Sequence, residues 1–500
     1  MIGRRLAIIL PAFLAAGACM VGPAYRRPAA PVPQGYKEMP AEGAAAGLTW
    51  KAAQPGDMAR RTPWWEAFGD PGLNALVERV DISNQTIALA EAQYRAARAA
   101  VAGVRSSLFP SVGVGASATR SSGVSTASPG PGQAAPAFTG YEVAVDLGWE
   151  IDLFGRVRRS VQAGVASALA SAADLESVRL TVQAEAAADY FLLRGVDAEI
   201  ELLKRTVEGY RTQYELTQNR FRQGVASGID VAQAKTQMAS IEAEAADLRI
   251  TRAQLEHALA VLAGSAPQEF ALAAAPAAVA PPAVPVGLPS ELLERRPDIA
   301  AAERRVAAAN ARIGVAVAGF FPTLSLSGLG GYQGSPLSSL FSLPARVWSL
   351  GASLAETVFN GGQRRSTYLQ ARAAYDGTVA EYRQTVLTAL EQVEDNLAAL
   401  RLLAEEARYQ TEAVSEAERT LKLANNRYIN GVTSYLEVVT AQNTALANEL
   451  QAVGLLTRQL TASVNLIKAL GGGWRVSDLS APASPKPPAA PDTKRKSPSA

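Results

Sequence analysis

Side-chain character changes its period twice in each half of the chain. The runs from Ile82 to Phe109 and from Ile299 to Phe321 are full of alanine with charges every three to four residues, which predicts helices. Each stops at a Phe-Pro pair, at Pro110 and Pro322, and proline cannot continue a helix. Beyond the prolines the period drops to two. Val112, Val114, Ala116 and Ala118 alternate with Ser111, Gly113, Gly115 and Ser117, while Tyr141, Val143, Val145, Leu147, Trp149 and Ile151 alternate with Glu142, Asp146 and Glu150. The second half repeats the device: Leu324 and Leu326 alternate with Thr323, Ser325 and Ser327, and Trp348, Leu350, Ala352 and Leu354 with Ser349, Gly351 and Ser353. This alternation predicts strands with one apolar and one polar face. Turn-rich segments, Ser121 to Gly140 and Gln333 to Arg346, join them as two hairpins, at about 110–151 and 322–357.

After the strands the helical pattern returns and persists. From near Gly155 to Gln223 no proline interrupts it, and a helix of that length spans roughly 100 Å. It ends in RFRQGVASGIDVAQA, Arg220 to Ala234, which returns as RYINGVTSYLEVVTA, Arg427 to Ala441, after an equally long run from near Gly362. The copies are 207 residues apart (431 − 224), and Gly264 matches Gly471 at the same offset, so the chain is internally duplicated. Within each copy Gly224 or Gly431 suits the left-handed residue that closes a helix, and Ser227 or Ser434 stands where the next helix is capped. Two long helical hairpins with tips at 224–228 and 431–435 are predicted. Alanine is so frequent from Val161 to Ala188 that backbones can approach closely along a seam, which suits many helices side by side better than a globular core.

The totals remove several classes of function. The 500 residues carry a net charge of +2, too balanced to imply nucleic acid. Cys19 is the one cysteine and His257 the one histidine, which excludes intrachain disulfides and cysteine metal clusters and leaves His257, amid an Ala/Leu-rich helical pattern, to serve any zinc site or catalytic triad alone. It reads as a helix-surface or interface residue. No GxxxxGK[ST] loop occurs. No enzyme activity, metal or cofactor is expected.

The front of the chain directs it out of the cytoplasm. Arg4 and Arg5, the apolar run Leu6 to Ala15 and the small residues Ala16-Gly17-Ala18 form a signal peptide over 1–18. Cys19 stands directly after the cleavage bond, as in the lipobox of bacterial lipoproteins, although Ala16 replaces the usual Leu and the same bond suits ordinary signal peptidase. A lipid there would hold the chain on a membrane surface without spanning it. Residues 19–61, Pro- and Gly-rich, read as a strap, 266–288 as a Pro/Ala linker, and 474–500 as a disordered tail. The duplicated repeats occupy 62–265 and 289–473.

The mature sequence has no helical stretch of eighteen apolar residues, so a bilayer would have to be crossed by strands closed into a barrel. Four strands cannot close one, and the smallest membrane barrels have about eight; two or more chains must then contribute. A small soluble sheet covering helices is the alternative that alternation alone leaves open.

Three stretches decide between these: VGPAYRRP after Cys19, TPWWEAFGDPGLNALVERVDISNQTI from Thr62, and LPSELLERRPDIAAAERRVAAANARIGVAVAGFFPTLSLSGLGG from Leu288 to Gly331. They resemble the outer-membrane efflux lipoproteins related to TolC, and the resemblance extends from Cys19 to Gly473. It implies a homotrimer, mostly α with a β membrane part, whose duplicated long α-hairpins form a twelve-helix α-barrel continued by a shared 12-stranded transmembrane β-barrel. Such a protein is the passive outer-membrane channel of a tripartite pump, lipid-anchored at Cys19, with a periplasmic adaptor and an inner-membrane pump as partners. A pore-free periplasmic coiled-coil scaffold and a protein-secretion duct are the rival readings. By resemblance the adaptor docks on Gly224, Val225, Ser227, Gly431, Val432 and Ser434. Leu436 and Thr440, one turn apart, match the family's narrowest ring, but Thr440 stands where relatives commonly have aspartate; Asp230 and Glu437 are the remaining acids near the mouth. The arginines at 156, 158, 159, 364 and 365 follow the strands, where they would meet lipid headgroups, complement acids near the rim or begin helices in water.

Overall fold

In the computed structural model the change of period at Pro110 and Pro322 is where the chain turns from helix to strand. The structure describes residues 20–31, 33, 35–38, 63–122, 137–277, 279–282, 284 and 295–472. The signal peptide, Cys19, much of the strap and the tail lie outside them. The elements are α1 (Pro71–Ser83), α2 (Gln85–Ser106), β1 (Ser111–Ser121), β2 (Phe138–Ile151), α3 (Arg156–Arg222), α4 (Gly228–Leu262), α5 (Pro297–Ala318), β3 (Thr323–Gly334), β4 (Arg346–Ala355), α6 (Gln363–Ile429) and α7 (Tyr435–Ala469). The duplication is kept to the residue in the long elements: α3 and α6 have 67 residues each, α4 and α7 35 each.

The chain divides into two units. The first comprises 1–32, 89–171 and 298–391 and holds one antiparallel sheet in the order β1-β2-β3-β4. Register decides its chemistry. Val112 pairs with Leu147, Leu147 with Gly328 and Gly328 with Leu350; one step along, Val114, Val145, Gly330 and Trp348 form the next rung. Partners in a rung share a face, so the alternating apolar residues of all four strands fall on one side. Ser111, Asp146, Glu142, Ser325, Ser327 and Ser353 fall on the other. The apolar side is open in the protomer, with Val114 77%, Leu350 82% and Trp348 71% exposed. Among the described residues nothing pairs with the outer edges of β1 and β4.

An extended strap fastens to this unit. Arg159, buried, donates to the carbonyls of Val21 (3.0 Å) and Gly22 (3.1 Å), Asn310 donates to Pro23 O, and Tyr25 donates to Glu303. Gly22 crosses Gly314 so closely that a Cβ on Gly22 would lie 2.5 Å from the Gly314 Cα, and its φ of 95° is in the left-handed region.

In the second unit, 33–88, 172–297 and 392–500, the described residues are mostly helical. Leu73, Val77 and Val80 of α1 are fully buried, Phe68 packs on Phe191 at 4.9 Å, and the Tyr190 hydroxyl donates to Asp70, the N-cap of α1. The strap continues here, with Lys37 N and Glu38 N donating to the Glu394 carboxylate and Arg401 pairing with Glu38.

Two expectations are corrected. The helix predicted from Ile82 to Phe109 is two helices: Asn84 leaves helical geometry, its Oδ1 accepts from Thr86 N and Ile87 N, and its Nδ2 donates to Leu262 O. Helices α2 and α5 end at Ser106 and Ala318, ahead of the Phe-Pro pairs, with short turns between. Of the readings open for the arginines after the strands, Arg156, Arg158 and Arg364 take the pairing with acids, Glu150, Asp152 and Glu356 at the strand ends.

The linker is held by a buried ionic knot that sequence spacing does not announce. Asp197, its side chain 2% exposed, receives Arg252 at 2.7 Å and Arg194 at 3.3 Å. The same arginines donate to Leu272 O and Ala273 O, while Leu272 N donates to Glu256 and Ala275 N to Asp197. Removing one member of a buried pair strands the others. Asp197→Asn is therefore expected to cost roughly 3 kcal/mol and to speed proteolysis of the 270–275 segment, read by limited digestion of the intact protein; an unchanged digestion rate would show the knot to be ornamental.

Candidate functional site

Each hairpin tip is built by the same backbone device. Gly224 and Gly431 take φ of 76° and 74°; Val225 N and Val432 N then donate to the carbonyls of Arg220 and Arg427, closing α3 and α6. Val225 and Val432 are left 64% and 68% exposed at the extremity of their hairpins.

The side chains then diverge. At the first tip Ser227 Oγ accepts from Asp230 N at 3.2 Å and Asp230 Oδ2 accepts from Ser227 N at 3.0 Å, a complete capping box. At the second, Ser434 holds the cap position, but its side chain makes no cap bond. Glu437 reaches back instead to accept from Thr433 Oγ1 and to pair with Arg427 at 2.8 Å. Arg220, the counterpart of Arg427, is turned elsewhere, donating to Ile429 O at 2.9 Å and lying 5.0 Å over the Tyr428 ring. Tyr428 and Tyr435 rings sit 5.2 Å apart and, with Ala234, Val438 and Ala441, form a small apolar core that joins the two tips. Burial raises the Tyr435 phenol above its ordinary range, with Tyr428, Tyr210 and Asp230 adding to it.

Leu436, Glu437 and Thr440 come together along an open groove of about 870 Å³, which Leu423, Arg427 and Thr433 also line. Leu436 is 57% exposed, and Thr440 Oγ1 donates to Leu436 O. Asp230 is not in this groove and spends its carboxylate on the cap. Arg427 and Thr433, which fix Glu437, are the residues that sequence reading missed; the signal was available in Arg427, ten residues before an acid across a tight turn. Cys19 lies outside the described residues. Among the described residues no helix is long and apolar enough to cross a membrane, and no cluster of side chains fits a metal ion.

The long hairpins also hold two half-buried carboxylates. Burial, reinforced by Glu244, holds the Glu199 carboxyl above its usual range, and burial with Glu418 does the same to Glu449 against a lowering by Arg205.

Known proteins resemble this chain over nearly its whole length. The family model described as outer membrane efflux protein matches residues 76–265 and 288–472. The chain belongs to the outer membrane efflux protein family. It is 32% identical over 473 residues to the probable efflux pump outer membrane protein TtgC of Pseudomonas putida, covering 94% of this chain and 95% of that one. It is 33% identical over 470 residues to outer membrane protein OprJ of Pseudomonas aeruginosa, covering 92% and 94%. The solved outer-membrane channel OprN superposes with a TM-score of 0.82 at 32% identity, over 91% of this chain and 100% of that one. The chain is thus an outer-membrane efflux component of this channel fold, and not an enzyme.

Two outcomes follow from the tips and the half-buried acids. Ser227→Ala removes a working cap and is expected to cost about 1 kcal/mol, whereas Ser434→Ala costs a few tenths at most; amide hydrogen exchange in the first turns of α4 and α7 checks this, and equal losses would contradict it. A carboxyl with a raised folded-state pKa holds its proton more tightly when folded. Stability therefore falls as pH rises from the unfolded value of 4.5 through the raised value, and returns on acidification. Glu199→Gln should flatten that slope and stabilise the protein at neutral pH, by at most about 1 kcal/mol after screening of a half-exposed group; a melting series across pH in which variant and parent run parallel would contradict it.

Proposed function

We propose that the chain is the outer-membrane duct of a tripartite efflux assembly, a homotrimer whose four-stranded sheets close into one 12-stranded barrel. What supports this reading is a sheet whose register gathers the alternating apolar side chains of all four strands on one face, Leu329 and Val347 excepted, and whose two outer strands have no partner among the described residues. In hydrocarbon an unpaired edge is prohibitive, so β4 of one copy meets β1 of the next until the ring closes. The apolar faces then meet lipid and the polar faces line water. The hairpins α3–α4 and α6–α7 of three copies continue the barrel as a tunnel of twelve helices, long enough to cross the periplasm. A lipid on Cys19 holds each strap at the membrane.

In this reading a periplasmic adaptor docks on the tips, at Gly224, Val225, Ser227, Gly431, Val432 and Ser434. The exposed valines supply apolar contact and the glycines keep the turns tight. The mouth narrows at Leu436 and Thr440, where threefold symmetry multiplies each side chain; Glu437, held by Arg427 and Thr433, stands beside that ring, and Asp230 serves the outer turn. Cargo enters from an inner-membrane pump, which supplies the energy, and passage through the duct is passive.

Detergent-purified protein is expected to have the mass of three chains by light scattering, and to give stepwise conductance in planar bilayers once the mouth is loosened. A monomer that stays soluble without detergent and conducts nothing would replace this reading with a pore-free scaffold.

A further inference from the structure

The end of the sheet remote from the helices carries a feature that conduction does not require. Arg120 on β1 and Arg346 on β4 are exposed, and among the described residues neither has an ion-pair partner. At the helix-side end Arg156, Arg158 and Arg364 are matched to carboxylates. No acid is available in the far loops: Arg120 is followed by no other charge before Glu142, and Arg346 is the only charged residue from Ile313 to Ala355. By register Arg346 pairs with Tyr332, which pairs with Val143, and Arg120 is two residues from Ala118, the partner of Tyr141. Both arginines therefore sit on the apolar face. The loop between β3 and β4 folds onto that same face, with Phe341 edge-on to Tyr332 at 5.5 Å, and Leu340 is buried. Leu343 is left 82% exposed.

We propose that this rim binds a phosphate-bearing lipid of the outer leaflet, the arginines taking the phosphate and the loop side chains the upper part of the acyl chains. Guanidinium suits a phosphate oxygen pair, and a loop without charge but with protruding Leu and Phe suits the boundary just below it. The inference rests on the trimeric barrel of the preceding section, because joining β4 of one copy to β1 of the next brings Arg346 and Arg120 onto adjacent strands at the same end of the same face. Each seam would then hold one two-arginine site.

The test uses the full-length protein purified from outer membranes, with binding read by native mass spectrometry. The probes are lipid A bearing both phosphates, the same lipid A after removal of its phosphates, and inorganic phosphate. Retention of diphosphorylated lipid A is expected to fall about ten-fold or more in Arg120→Gln/Arg346→Gln, with the assembled mass unchanged. Spin labels on Leu343→Cys and Leu350→Cys report depth by oxygen accessibility in liposomes, and the unsubstituted chain, whose one cysteine is Cys19, supplies the label background. The label at 343 is expected at the headgroup boundary and the label at 350 deep in hydrocarbon. If the label at 350 lies in hydrocarbon but the double variant binds as the parent does, or phosphate-free lipid A binds as well, or inorganic phosphate displaces the lipid, this inference fails and the barrel stands. If the label at 350 lies in water, the barrel fails with it.

Discussion

A strand at the edge of a sheet holds out a row of amide and carbonyl groups, and among the described residues of this chain both β1 and β4 do so. In water such an edge is a liability; in hydrocarbon it is forbidden. The proposed barrel answers that demand. The two hairpins come from opposite halves of the duplicated chain, yet they form one sheet because Tyr141 to Ile151 pair in full with Leu324 to Gly334. Duplication thus supplies the inner seam within a copy and leaves two outer edges. The register that joins the halves also keeps their alternation in phase, since a slip of one residue would send every apolar side chain of one hairpin to the polar side.

The helices obey a related constraint of length. Because α3 and α6 are both 67 residues long, and α4 and α7 both 35, the two tips end at corresponding places and can pack on one another. Tyr428, Tyr435 and Ala234 do this, with Arg220 bonding across to Ile429. One residue inserted in a single long helix would turn everything beyond it by about 100° and slide it by about 1.5 Å, carrying the tip core out of register. Alanine at Ala184, Ala186 and Ala187, all buried, lets such helices lie close without relying on large side chains. Stability in this part is spread along a seam instead of being gathered in one core, so a local clamp such as the Asp197 knot can hold a linker without governing the whole fold.

The strands were legible because their signal is local. Val143, Val145 and Leu147 declare a face by alternation alone, and register then needs only to preserve it. The tip turns were legible for the same reason, as a glycine, a few small residues and an acid lie within ten positions. What escaped was non-local or decided by competition. Asn84 breaks a helix that propensity would continue, because its side chain is engaged at once by Thr86, Ile87 and the distant Leu262 O. The pairings of Arg156 with Glu150 and Arg158 with Asp152 were within reach of the sequence, six residues apart at a strand-to-helix corner, but they require knowing that the corner folds back. The knot on Asp197 joins residues 55 positions apart through Arg252, and no pattern along the chain carries that information.

Ser434 shows the limit of motif reading most clearly. Ser-x-x-Glu is the better-known capping box and Ser-x-x-Asp the lesser, yet Ser227 with Asp230 forms the box and Ser434 with Glu437 does not. The difference lies in what else each acid can reach. Asp230 is short, and the arginine of its own copy is drawn away to Ile429 O, so the cap backbone is its available donor. Glu437 has one more methylene, faces Thr433 where the first copy has Ala226, and meets an Arg427 that is free to turn toward it; an ion pair and a hydroxyl together outbid a backbone amide. Closely similar turns 207 residues apart thereby acquire different tips, one closed on itself by its own cap and the other tied sideways between its two helices beside the Leu436 and Thr440 groove.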